Sequence, residues 1–340
     1  MLNETDAAVT AHNADGYARG EVIGTAPPNR SSRLRRGGVG ILANVGRDVS
    51  AIPAKGGANA LLTAAGLDWE VQKREVFVRA PSGELVHDEH AVALTRSDTG
   101  QIFGYASPAY QPAQNRELAE LYSGLLGELG LQWQRAGFVR GGSTIFVLAK
   151  VVDVPIVKGD ESEMFLLLQN GHDTTSALKA AVTFNRLFCA NQLPTLEREG
   201  NAARFRHNGL GIRDLATVVN RIRGAIEAGK SDAEAFRLLA SRQCSRITPL
   251  LDAIYPVTDA DGKRAGSARL KARDQITELF DGKGAGLDVP GVRGTWWAAF
   301  NAITEYEDHH ASRRSDESAL FGAAGQRKVK ALEAAIKLSH

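Results

Sequence analysis

Cysteine is nearly missing from this sequence: Cys189 and Cys244 are the two in 340 residues. They lie far apart and fit no CxxC pattern, which excludes a disulfide framework and a zinc knuckle and points to a reducing compartment. No apolar run approaches the ~20 residues that span a bilayer, so no membrane partner is expected. Met1–Glu21 is polar and mildly acidic rather than basic and then apolar, so a cytoplasmic location, in a bacterial host, is the expectation. Charge of one sign is also lacking. The formal net charge is +2, so any nucleic-acid role needs local clustering rather than a basic chain. Short catalytic signatures are missing as well. Thr174-Thr175-Ser176 offers hydroxyls without a histidine and an acid at motif spacing, and no nucleophile elbow occurs. No catalytic residue, metal or cofactor is expected.

The hydrophobic pattern supplies an organisation. Residues 1–36 have no periodicity and are expected to form a mobile arm. The arm ends in Arg30-Ser-Ser-Arg33-Leu-Arg35-Arg36, which suits a solvated linker or a phosphate-contacting arm equally well. Ala58–Ala65 is Ala/Leu-rich and helical, with Gly66 as its cap. Trp69–Arg79 alternates as a strand, and Pro81-Ser-Gly83 is a turn. Val92–Tyr105 is a hairpin turning at Ser97-Asp-Thr-Gly100. Leucines at helical spacing make Asn115–Leu129 an amphipathic helix. Leu131–Val152 is a second hairpin turning at Gly141-Gly142, Met164–Leu168 a short buried strand, and Ser176–Cys189 a longer one. In that last strand Lys179, Ala181, Thr183 and Asn185 share one face, and Leu178, Ala180, Val182 and Phe184 the other. Its phase breaks at Arg186, where a bulge or strand end is expected. Beyond Pro194 the spacing turns helical, at 212–226, 233–242, 269–280, 295–309 and 328–338. Strands followed by helices argue an α+β protein. Its core is an antiparallel sheet of hairpins with packed helices over 37–209, followed by a mostly helical region over 210–340.

Two patterns invite chemistry. Gly224-Ala-Ile-Glu-Ala-Gly229-Lys230-Ser231 fits the GxxxxGK[ST] phosphate loop, which requires a buried strand running into a glycine-rich turn. The preceding residues are helical by spacing. The expectation is therefore that Gly229 ends one helix and Ser231-Asp-Ala-Glu234 caps the next. The histidines His87, His90, His172, His309 and His310 suit surface positions better than a metal site. The competing expectation is a metal-dependent phosphohydrolase or nuclease built on His172, Asp173, Asp88 and Glu89.

Charge clusters in one place. From Lys179 to Arg223 there are eight basic residues against three acidic ones, an excess of five that exceeds the whole chain's +2. Arginine dominates, which suits bidentate phosphate contact. Lys179, Arg186, Arg204 and Arg206 lead this set, and Arg96, Arg135 and Arg140 on the hairpins join it if a sheet face is shared. Tyr105 and Trp133 are interleaved with them. Bases stacked on aromatics beside backbone-tracking cations is how single strands are held without sequence preference. Core aromatics and solvated arginines produce the same pattern, and composition alone favours that reading.

The segments Gly66–Val71, Thr95–Asn115, Ala136–Val151, Leu168–Leu193, Arg204–Gly209, Thr295–His310 and Ser318–Leu338 together resemble a large family of phage- and plasmid-borne proteins of unknown function. The resemblance covers about residues 40–340. More distantly, the helix, hairpin and helix order is similar to the Red-beta, RecT and Rad-type single-strand annealing superfamily, although no short motif is shared. That similarity implies an ATP-independent protein of phage or plasmid recombination that binds and anneals single-stranded DNA as a ring or helical oligomer of itself, with a phage exonuclease or a single-strand-binding protein as a further partner. A protein-binding structural or anti-defence role is the remaining expectation.

Overall fold

A computed structural model of the chain describes residues 46–174, 178–186, 192–193, 202–205, 215–258, 262–311 and 323–340. All of them belong to one compact unit. It is an α+β fold of two antiparallel sheets and seven α-helices among the described residues.

The larger sheet has seven strands: β1 (Arg47–Asp48), β5 (Gln132–Val139), β6 (Thr144–Val157), β7 (Asp160–Gly171), β8 (Leu178–Arg186), β9 (Gln192–Leu193) and β10 (Ala202–Phe205). Their order is β1-β5-β6-β7-β8-β10, with β9 also pairing β8. The smaller sheet is a meander of β2 (Val71–Arg79), β3 (Leu85–Arg96) and β4 (Ile102–Ala106). The helices are α1 (Ala58–Ala65), α2 (Asn115–Leu129), α3 (Leu215–Ser241), α4 (Thr248–Ile254), α5 (Ser267–Glu278), α6 (Trp296–Glu305) and α7 (Ala323–Leu338). Single π-helical turns, Leu279–Lys283 and Tyr306–His310, extend α5 and α6.

Register explains the core. Val147 lies opposite Leu168, which lies opposite Ala180, while Leu166 faces Val182 and Met164 faces Phe184. Residues directly opposite across strands share a face, so these form one apolar face under the helices. Leu118, Leu125 and Leu126 of α2, Leu61 and Leu62 of α1, and Val218, Val219 and Ile222 of α3 cover one end of it. Phe236 and Leu239 of α3, with Leu250, Ile276, Trp297, Phe300, Leu332 and their neighbours from α4–α7, cover the other. The opposite face is not bare, since Phe146, Leu148 and Phe165 are buried too.

The 27-residue α3 is about 40 Å long at 1.5 Å per residue and runs along the apolar face. Val218, Ile222, Ala225, Gly229, Ala233, Phe236 and Ala240 recur at three- and four-residue spacing on its buried side. The expected break at Gly229 does not occur. A Cβ there would sit 2.7 Å from Val182 Cγ1 and 3.1 Å from Met164 Sδ, so the glycine lets the helix press onto β8 and β7. The GxxxxGK[ST] pattern thus lies wholly inside a continuous helix and makes no phosphate loop.

Other differences from the sequence pattern have similar causes. β7 begins at Asp160, not Met164, because the polar Asp160 and Ser162 are themselves buried. The separate helices expected at 212–226 and 233–242 are halves of α3, and α4 was not expected at all. Cys189 and the Arg30–Arg36 run lie outside the described residues. Cys244 is buried and free.

Candidate nucleic-acid interface

The smaller sheet packs one face inward. Leu94 is fully buried, and Arg96 lies over the rings of both Trp69 and Phe138, 4.7 Å from each centroid. The guanidinium also donates to both carboxylate oxygens of Asp98, at 2.7 and 2.9 Å, and to Gly141 O at 3.0 Å. That hydrogen bond from Arg96 is the first cause holding the Asp98 carboxyl below its ordinary pKa. Arg96 is therefore a clamp between the sheets, with its cation already committed, rather than a free phosphate contact.

The outward face of the same sheet is built differently. Arg74 lies opposite Ala93, and Ala93 lies opposite Tyr105. The three share a face, with a small residue in the middle. Tyr105 is 59 % exposed, and Arg74 is exposed about 10 Å away, two strand spacings across. Gln72, one pleat along from Arg74, accepts from its Nη2 at 2.8 Å. This arrangement places an aromatic ring and a guanidinium on either side of Ala93, which is itself buried. Arg74 and Gln72 were not among the residues expected here. Their alternation with Lys73 and Glu75 along β2 was the available signal.

Arg140 adjoins this sheet. It is exposed in the turn between β5 and β6, where Arg140, Gly141 and Gly142 all have positive φ, at 52°, 66° and 112°. A side chain on Gly142 would meet Trp69 at 2.9 Å as well as being strained, so only glycine suits that close approach. Gln101 Nε2, in the loop before β4, donates to Arg140 O at 3.5 Å. The turn thus ties the larger sheet to the smaller one.

The remaining expected residues are not brought to that surface. Trp133 is 0 % exposed, and its Nε1 donates to Ile52 O at 2.6 Å, so it is a core residue and cannot stack on a base. Arg186 is buried against Asp160, with Nη2–Oδ2 2.6 Å and Nε–Oδ1 2.8 Å, and it also donates to Ala285 O. Trp297 Nε1 donates to the same Asp160 carboxylate at 2.8 Å. Arg186 belongs to an internal ion pair, which removes it from any phosphate surface. Arg135 is half-buried on the second face of the larger sheet and donates to Gly46 O at 2.6 Å. Burial lowers its pKa, with Asp48 opposing that shift. Lys179 is half-buried on β8 and pairs in register with Arg204 on β10, so those two positions are adjacent. The side chain of Arg204 and the whole of Arg206 lie outside the described residues.

His172 belongs to no group of three or more potential metal ligands among the described residues. It is buried, its Nε2 is 2.9 Å from Asn115 Oδ1, and its ring stacks with Phe103. Asn115 Nδ2 donates to Leu67 O and Trp69 O. Asn115 Oδ1 is therefore the acceptor, and His172 Nε2 carries the proton. Asp88 and Glu89 sit on β3, and no group of three or more His, Cys, Asp or Glu is placed to hold a metal among the described residues. No described helix is long and apolar enough to cross a membrane.

Residues 102–334 match the family model of a domain of unknown function, DUF932. The match runs from the start of β4 into α7 and takes in most of the larger sheet and the described helices other than α1. It fits the family of unknown function that the sequence resembles. No curated protein and no solved structure matches the chain.

Proposed function

The chain belongs to the DUF932 family, and we propose that it binds single-stranded DNA and anneals complementary strands without ATP, acting as an oligomer in recombination of phage or plasmid DNA. One observation carries this: Tyr105 stands exposed across Ala93 from the exposed Arg74 on the outward face of the β2–β3–β4 sheet. A tyrosine ring gives any base a stacking surface, and a neighbouring guanidinium meets the backbone that joins successive bases. Arg140 is exposed on the adjoining turn, and Lys179 is a further basic position on the larger sheet. Annealing makes and breaks no covalent bond. It needs neutralised backbones and bases left free to pair.

The test is fluorescence anisotropy with a labelled single strand and the matching duplex, titrated across salt without nucleotide, followed by strand annealing with the same oligonucleotides. Tighter binding to the single strand, an affinity that falls steeply as salt rises, and loss of binding in Arg74→Ala and Tyr105→Ala support the proposal. No single-strand binding at low salt, or binding indifferent to both substitutions, overturns it.

A further inference from the structure

Beyond Glu75 and Val92 the smaller sheet continues as a two-stranded ribbon. β4 pairs with β3 only over Val92–Thr95, so among the described residues nothing pairs with β3 over 85–91 or with the outer edge of β2. The ribbon is bent where Val76 alone faces the four residues 88–91. Past that bend Phe77, Val78, Leu85 and Val86 are each 50–58 % exposed. Phe77 lies opposite His87 and Val78 opposite Val86, so apolar side chains emerge on both faces. An isolated two-stranded ribbon is marginal in water, and unpaired strand edges are templates for further strands. Among the described residues, both of its edges are unpaired and apolar side chains are exposed on both of its faces.

Charge identifies that neighbour. The β2 edge carries Arg74 and Arg79 against Glu75, Lys73 being tied to Pro108 O and Tyr110 O, while residues 84–91 on the β3 side include Glu84, Asp88 and Glu89 and no Lys or Arg. Over 71–92 there are three basic and four acidic residues, so the segment carries both signs. Two β2 edges facing each other would oppose arginines, and two β3 edges would oppose carboxylates. A β2 edge facing the β3 edge of another copy joins opposite charges. Because β2 and β3 run antiparallel, that repeat also stays antiparallel from copy to copy. Such a contact is head-to-tail and builds a ring or a filament rather than a two-fold dimer.

We infer that the β2–β3 ribbon docks a second copy of this chain, the β2 edge of one copy pairing with the β3 edge of the next. This deepens the proposed function by naming the surface that makes its oligomer, and rests on that function only for the oligomer itself.

The test uses the full-length chain without nucleic acid, so that failure of assembly and failure of DNA binding are read separately. Mass is measured by sedimentation velocity over a range of concentrations for the wild type, for Arg74→Glu/Arg79→Glu, for Asp88→Lys/Glu89→Lys, and for the two variants mixed. Each variant alone should need a concentration higher by about tenfold or more to assemble. The mixture should recover the wild-type mass, because each reversed edge complements the other. A thermal melt equal to the wild type's establishes that each variant is folded; Arg79→Glu alone, at the ribbon tip, replaces a double variant that melts early. A monomeric wild type, variants of unchanged mass, or a mixture that stays dissociated would each overturn the inference.

Discussion

Arg186→Ala is the substitution that most sharply separates a structural arginine from a DNA-binding one. The guanidinium is 1 % exposed and its partner Asp160 is 0 % exposed, so both charges lie in the interior. Truncation removes two charge-assisted bonds to Asp160 and one to Ala285 O, leaving Trp297 Nε1 facing the carboxylate. It also removes the cation 5.5 Å over the Trp297 ring. Breaking a buried pair from one side strands a charge in low dielectric and costs about 3–5 kcal/mol. Against a total stability of about 5–15 kcal/mol that is a large fraction. For a 340-residue chain it corresponds to a fall of roughly 4–7 °C in melting midpoint. Differential scanning fluorimetry reads it directly. The control is Asp160→Leu/Arg186→Met, which removes both charges and should recover most of the loss. If Arg186→Ala melts with the wild type but loses affinity for DNA, Arg186 is a surface phosphate contact and the placement argued above is refuted.

Further predictions test other parts of the molecule. Gly229→Val should cost about 1–3 kcal/mol by overpacking, whereas Gly224→Ala, with open space around its position on the same helix, should gain about 0.5–1 kcal/mol; thermal melts of the pair decide this. Tyr105→Ala should weaken single-strand binding by about 1–3 kcal/mol with an unchanged melt, whereas Trp133→Ala should destabilise the fold by about 3–5 kcal/mol; anisotropy and melts together distinguish them. Burial pushes the Cys244 thiol above its ordinary 9.0, so the neutral thiol persists to higher pH in the native state. In a Cys189→Ser background, native alkylation at neutral pH should be much slower than in urea, and equal rates would contradict its burial.

Much of the fold was legible because local chemistry and packing agreed. α1 and α2 fall where the spacing put them, since Gly66 and Gly130 close them in the left-handed conformation and Gln114 with Glu117 opens α2 as a capping box. The two faces of β8 separated cleanly because one of them lies under the helices. α3 was divided in the sequence because Gly229 is the same letter whether it ends a helix or admits a neighbour, and only the distance to Val182 distinguishes the two. The candidate site was less legible for a related reason. Arg186 and Trp133 fit a surface pattern, but their partners, Asp160, Trp297 and Ile52, lie far away in sequence. Tyr105 is exposed on the hairpin that its alternation predicts. Arg74 does not stand out in the sequence because its place opposite Ala93, and so on the face of Tyr105, comes from strand register.

The long α3 has a consequence for how the molecule comes apart. Its first turns are locked into the leucines of α1 and α2, and its last turns, through Phe236, into Trp297 and Phe300 of α6. A helix that serves as a wall of both compartments cannot loosen in one while staying rigid in the other. Amide hydrogens on the two sides of Gly229 should therefore exchange together, as one cooperative unit. A polypeptide cut just before this helix would leave two pieces, each with half of its interior open to water.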